Sequence, residues 1–177
     1  MSYEVVKSLI QYQGKFVAVK EDTILLPDGK TASREVVQRG AATAILPIDK
    51  HGNVILVRQY RHAVGQMLLE VPAGILEKGE NPAECAKREL EEETGYQTNA
   101  LEFVCQMYPT PGFCDEQLYL YLAQDLAEGK QNFDEDEFIE VEKYSIEQAL
   151  DMVEKGEIQD AKTILLLYGY VAKKGHK

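Results

Sequence analysis

Between Ala41 and Ile48 the chain runs almost without a polar residue (AATAILPI), the pattern of a strand covered on both faces. Asp49 to Gly52 supplies a turn, and Asn53 to Gln59 (NVILVRQ) reads as the hairpin partner of that strand. Further strands are predicted at Met67–Pro72, Leu101–Tyr108 and Phe138–Val141. Glu116–Gln124 alternates Leu118, Leu120 and Leu122 against Gln117, Tyr119 and Tyr121, a strand with two different faces. Ahead of these, residues 3–39 are β-rich. Lys15–Lys20 alternates in part, Thr23–Leu26 runs into the turn residues Pro27-Asp28-Gly29, and Thr31–Gln38 reads as the returning strand. Few large apolar side chains occur there, so this section needs another surface to pack on.

The period changes at Asn81. Asn81 is a candidate N-cap, Pro82 suits the first helical position, and Gly95 falls where a left-handed residue ends a helix. Glu84 is placed for a capping-box-like return bond. The predicted helix covers about residues 82–94, with Ala83, Ala86, Leu90 and Thr94 on its inward face. Ser145 with Gln148 caps a second helix through Glu154, with Leu150 and Val153 inward, and Asp160 caps a third over Ala161–Lys173. Strands on both sides of a helix, with two more helices at the end, predict an α/β protein with a mixed sheet between helices. Residues 1–39 form the N-terminal β section and 40–177 the main domain.

The first helix carries an electrostatic problem. Glu89, Glu92 and Glu93 stand at i, i+3 and i+4, where like charges repel, and anions near a helix C-terminus oppose its dipole. Arg88 can pair with Glu84 or Glu92 but cannot neutralise them all. One reading is a solvated acidic face. The other is a site for a divalent cation, since hard oxygen ligands suit magnesium or manganese, with Glu80 in the preceding loop able to reach the same place.

At 177 residues the chain suits one domain with a substantial core. Its net charge of −11 argues against nucleic acid or an anionic membrane as the principal partner. A phosphorylated ligand must therefore be met by local cations, and Arg58 and Arg61 near a strand end are a candidate clamp. Cys85, Cys105 and Cys114 form no C-x-x-C pair; free thiols, and no signal or apolar span of twenty residues, point to the cytoplasm. The three histidines are scattered, which leaves little for a histidine metal site or a Ser-His-Asp arrangement.

From Gly74 the chain reads G, five residues, Glu80, seven residues, then R-E-L-E-E-E-T-G-Y to Tyr96. This resembles the Nudix box, G-x(5)-E-x(7)-R-E-U-x-E-E-x-G-U, at every fixed position, with aromatic Tyr96 in the last apolar slot. Pro111, fifteen residues past Tyr96, sits in Pro-Gly-Phe-Cys-Asp-Glu and resembles the proline marker of the ADP-ribose pyrophosphatase group. Gln59-Tyr60-Arg61, Glu70–Gly74 (EVPAG) and the acidic stretch Asp134–Glu137 are similar to that group as well.

The resemblance implies an α/β/α sandwich and metal-dependent hydrolysis of ADP-ribose to AMP and ribose 5-phosphate. It implies that Glu89 and Glu93 are the principal ligands of Mg2+, with Mn2+ a possible substitute, that Glu92 completes the cluster, and that the Ala73 carbonyl adds an oxygen. Arg88 would hold the glutamates in place; Gly74, Glu80 and Gly95 would be structural. Arg61 would contact the diphosphate, and Phe16 and Arg34 would help hold adenine. Pro111 and Gly112 would line the substrate site. Glu137, with Glu135 its rival, would be the general base. The group also implies a homodimer through the N-terminal section. Two alternatives stay open: another nucleoside diphosphate derivative as substrate, and a sensor that binds ADP-ribose without cleaving it.

Overall fold

The computed structural model describes residues 3–132 and 138–175. Two compact units emerge, Met1–Ala41 with Tyr108–Gln117, and Ala42–Met107 with Leu118–Lys177. The first contains an antiparallel meander of β1 (Glu4–Gln13), β2 (Ala18–Leu25) and β3 (Thr31–Gln38). The Pro27-Asp28-Gly29 turn joins β2 to β3 as expected, with Leu26 exchanging backbone bonds with Gly29 and Lys30. The stretches 15–20 and 23–26 prove to be one strand preceded by a turn: Lys15, Phe16 and Val17 lie outside β2, where Gly14 N–H reaches the Val17 carbonyl. Ala18, Asp22 and Ile24 are buried, whereas every residue of β1 is exposed. Residues 108–117 join this unit through bonds of Val37 to Phe113 and Asp115.

The second unit holds β4 (Ala41–Pro47), β5 (Val54–Arg61), β6 (Gln66–Glu70), β7 (Ala73–Ile75), α1 (Pro82–Thr94), β8 (Tyr96–Gln97), β9 (Ala100–Met107), β10 (Gln117–Gln124), β11 (Ala127–Glu128), β12 (Glu140–Tyr144), α2 (Ile146–Glu154) and α3 (Ala161–Gly175). One sheet has the order β7-β4-β10-β9, another β12-β5-β6, and β11 pairs with β8. Gln117 bonds to Gly40 at one end of the β4–β10 pair and Ile48 to Ala123 at the other, so these two strands run parallel. Their other neighbours, β7 and β9, are antiparallel, and the sheet is mixed.

The predicted β4–β5 hairpin does not form. Only the bridge Ile48↔Val54 links the two, and β5 pairs instead with β6 and β12. Both strands are apolar on both faces, so they gain more by packing across a core than by sharing an edge. Ala44, Leu46 and Ile48 of one meet Val54 and Leu56 of the other in the main core, together with Leu118, Leu120 and Leu122, and Leu166, Leu167 and Tyr170 of α3. The opposite face of the four-stranded sheet presents Ile45, Tyr121 and Ala123 to Ala86 and Leu90 of α1. The period-two pattern of β10 thus feeds two separate cores.

Ser145 and Gln148 form the expected capping box of α2, and Asp160 accepts from the Thr163 N–H at the start of α3. The last strand starts at Glu140, two residues later than predicted, with Phe138 outside it and exposed.

Candidate active site

Asn81 adopts extended backbone, φ −78 and ψ 136, and its side-chain oxygen accepts from the Ala83 N–H at 2.9 Å. Gly95, at φ 73, ends the helix with its N–H on the Glu91 carbonyl. Glu84 does not make the expected return bond; it accepts from Lys87 Nζ at 3.0 Å on the exposed side.

At about 100° per residue, Glu93, Glu89, Glu92 and Arg88 follow one another around the helix from its buried side outward. Among the three glutamates exposure follows that rotation: Glu93 is buried, the Glu89 side chain is 12% exposed and that of Glu92 36%. Glu93 Oε2 accepts from the Ala73 N–H at 3.2 Å, tying α1 to β7. Gly74 is required for space. A Cβ there would stand 2.0 Å from Glu89 Cδ, so the Glu89 carboxylate fills the volume a side chain would take.

Arg88 joins these groups. Its Nε and Nη2 form a fork on Glu80 at 3.0 and 3.1 Å, while Nη1 donates to Glu89 at 2.6 Å and Glu92 at 2.9 Å. Nη2 also reaches the Ile75 carbonyl at 3.3 Å. Of the two partners expected for Arg88, Glu92 is bonded and Glu84 instead meets Lys87, while Glu80 joins from the preceding loop. Held by Arg88, the Glu80 carboxyl drops to about 2. The arginine in turn rises above its usual value, chiefly through Glu80. Cys85 lies buried beneath, 3.3 Å from Arg88 Nη2, and burial pushes its thiol up to about 11.

Among the described residues no three His, Cys, Asp or Glu side chains converge on one point as a metal shell. The donor chemistry nevertheless fits a hard divalent cation: carboxylates line one helix edge, and Arg88 already places a positive charge between Glu89 and Glu92. A further oxygen is at hand in the Ala73 main chain, one residue before Gly74.

The two candidate clamp arginines are engaged by carboxylates. Arg58 Nε meets Glu142 at 2.5 Å, and Arg61 forks Glu70 at 2.7 and 2.9 Å. Glu93 adds to the field that keeps Arg61 charged. Glu135 and Glu137 lie outside the described residues. The chain approaches that stretch from beside the end of α1, where Asn132 N–H bonds to the Glu92 carbonyl and Gln131 Nε2 to that of Glu93. Arg34, Phe16, Pro111 and Gly112 belong to the first unit. There Arg34 donates to the Ser33 carbonyl, Phe16 is exposed under Lys15 Nζ, and Pro111 and Gly112 lie in an exposed turn. Sequence reasoning missed Glu70 as a buried partner; its signal was a lone charge inside the apolar run MLLEVP.

The family profile described as NUDIX domain matches residues 38–167. The chain belongs to the NUDIX family. An ADP-ribose pyrophosphatase of Bacillus subtilis (strain 168) is 43% identical over 154 residues, covering 86% of this chain and 83% of the relative. A Methanol dehydrogenase activator of Bacillus methanolicus is 38% identical over 156 residues, covering 87% of this chain and 84% of the relative. A solved structure described as an ADP compounds hydrolase superposes with a TM-score of 0.89 at 23% identity, over 99% of this chain and 96% of that one; at that identity the likeness concerns the fold. Among the described residues no helix is long and apolar enough to cross a membrane.

Two outcomes follow from the geometry of the NUDIX box. Gly74→Ala should leave the thermal midpoint nearly unchanged, because only the flexible end of Glu89 must move. The hydrolytic rate should nevertheless fall about a hundredfold, the order expected when a site group shifts by about 1 Å. A variant with full activity would contradict the assigned role of the glycine. Glu80, shifted from 4.5 to about 2 in the fold, stabilises the native state above the unfolded value and loses that contribution as pH falls toward 2. Glu80→Gln should therefore lower the midpoint at pH 7, with the gap to the parent narrowing between pH 5 and pH 3. Thermal scans across that range check this, and a gap independent of pH would count against it.

Proposed function

We propose that this protein hydrolyses the diphosphate bond of ADP-ribose, with Mg2+, to AMP and ribose 5-phosphate. The observation that carries the reading is an intact NUDIX box in a chain 43% identical to an ADP-ribose pyrophosphatase over most of both lengths. A diphosphate presents several anionic oxygens, so attack by water requires charge neutralisation and a stabilised leaving phosphate. Glu89, Glu92, Glu93 and the Ala73 carbonyl would hold Mg2+, with Mn2+ a substitute. When bound, the ion supplies positive charge against the phosphate oxygens and acidifies water.

The chain's own residues do the rest. Ala73 N–H fixes Glu93, the space above Gly74 admits Glu89, and Arg88 holds Glu89 and Glu92 at one edge of α1. Arg61 uses two of its five donors on Glu70, which leaves others for the diphosphate. Glu137, with Glu135 its rival, accepts the proton of the attacking water. Phe16 and Arg34 hold adenine, and Pro111 and Gly112 line the substrate site. A homodimer through the N-terminal section is supported by β1, which exposes Val5, Val6, Leu9, Ile10 and Tyr12. The free thiols of Cys85, Cys105 and Cys114 fit a cytoplasmic location.

Purified protein should be incubated with Mg2+ and ADP-ribose, ADP-glucose, NADH, a diadenosine polyphosphate or 8-oxo-dGTP, and the products separated by chromatography. AMP and ribose 5-phosphate should form fastest from ADP-ribose. Glu93→Gln should slow that reaction at least about a hundredfold, the scale of losing one electrostatic stabiliser. Faster cleavage of another compound would keep the hydrolytic chemistry and overturn the substrate. Tight ADP-ribose binding with no cleavage of anything would favour a sensor.

A further inference from the structure

Glu70 is only 2% exposed, between the fully buried Leu69 and Val71 at the end of β6. A carboxylate at that depth is tolerated only with charged partners in good geometry. It has two. Arg61 forks both of its oxygens, and Lys162 Nζ, from the first turn of α3, meets Oε2 at 2.5 Å. Burial drives the Glu70 carboxyl up, but Arg61 and Lys162 outweigh it and hold it below the usual range.

Lys162 is itself fixed. Its ammonium donates to Asp160 Oδ1 at 2.9 Å, while Asp160 Oδ2 accepts from both Thr163 N–H and Thr163 Oγ1. The Thr163 hydroxyl accepts from the Val71 N–H at 2.8 Å. The start of α3 therefore grips Glu70 by its side chain and the next residue by its backbone. Two residues farther on, Ala73 holds Glu93, and Arg61 lies within the field of that glutamate. Asp160 and Lys162, though distant in sequence, thus reach the same Arg61–Glu70 pair that feels Glu93 of the NUDIX box.

We propose that Lys162 is a positioning residue: by sharing Oε2 of Glu70 with the guanidinium, it lets Glu70 hold the Arg61 fork in one orientation with donors left for the substrate. This rests on the reading that Arg61 binds the diphosphate. With Lys162 removed, Arg61 becomes the sole counter-ion of a buried carboxylate, and the guanidinium that already forks it is pulled more tightly onto Glu70, away from an incoming anion. Because Arg61 contacts the diphosphate in ground and transition states alike, the loss falls mainly on binding.

The test is steady-state kinetics with ADP-ribose and Mg2+ for Lys162→Met, Arg61→Met, the double variant and Lys162→Arg. Lys162→Met should raise KM about tenfold with kcat within about threefold, and Lys162→Arg should recover most of the loss. In the Arg61→Met background, Lys162→Met should change KM less than about twofold, since coupled residues are not additive. If Lys162→Met does not fold, Asp160→Asn, which retains a helix-capping side chain while loosening Lys162, should raise KM in the same coupled manner. Equal effects of Lys162→Met with and without Arg61, or a loss confined to thermal stability, would overturn the proposal while leaving Arg61 as the diphosphate ligand. An unchanged KM for Arg61→Met would remove that ligand assignment, and the positioning role with it.

Discussion

Arg88 is the contact on which the arrangement of the box helix depends. Within thirteen residues α1 carries Glu84, Glu89, Glu91, Glu92 and Glu93, and its last turn has no basic residue. That distribution opposes the helix dipole and sets like charges one turn apart. One guanidinium bonded to Glu80, Glu89 and Glu92 offsets the repulsion. It also fastens the helix to what precedes it, since Glu80 lies in the loop before α1 and the Ile75 carbonyl at the end of β7. The position of α1 against β7 follows from this clasp together with the Glu93–Ala73 bond.

The same electrostatics bear on the chemistry. The chain has a net charge of −11, and three of its arginines around the second unit are matched to carboxylates: Arg58 to Glu142, Arg61 to Glu70, Arg88 to the box. Protein cations hold the site together, which leaves charge to be supplied to a diphosphate from elsewhere. A divalent ion at the edge of α1 meets that need in the proposed reaction, and the graded exposure from Glu93 to Glu92 presents carboxylates both to the interior and to solvent.

Local signals were legible wherever one or two adjacent residues decide the backbone. Asn81-Pro82 and Gly95 bound α1, Ser145 with Gln148 starts α2, and Asp160 starts α3, because capping chemistry is local. The alternation in β10 likewise marked two faces. Partners chosen over distance were not legible. Two apolar strands, β4 and β5, carry no mark that says whether they pair at an edge or stack across a core. Arg61 read as a candidate phosphate clamp, but its carboxylate partner stayed out of view, because Glu70 lies nine residues away and the lysine sharing that partner a further ninety-two. The glycine of the box read as structural; the group that needs the space is the Glu89 carboxylate, which comes from fifteen residues further on.

The proposed reaction requires the acidic edge of α1 to be a divalent-cation site rather than a solvated surface. The most direct measurement of that site is a Mn2+ titration followed by water-proton relaxation, which reports metal binding without turnover. The account predicts saturable enhancement with the parent protein and its loss in the double variant Glu89→Gln, Glu93→Gln, with the fold intact by circular dichroism. Identical titration curves for the two proteins would contradict it.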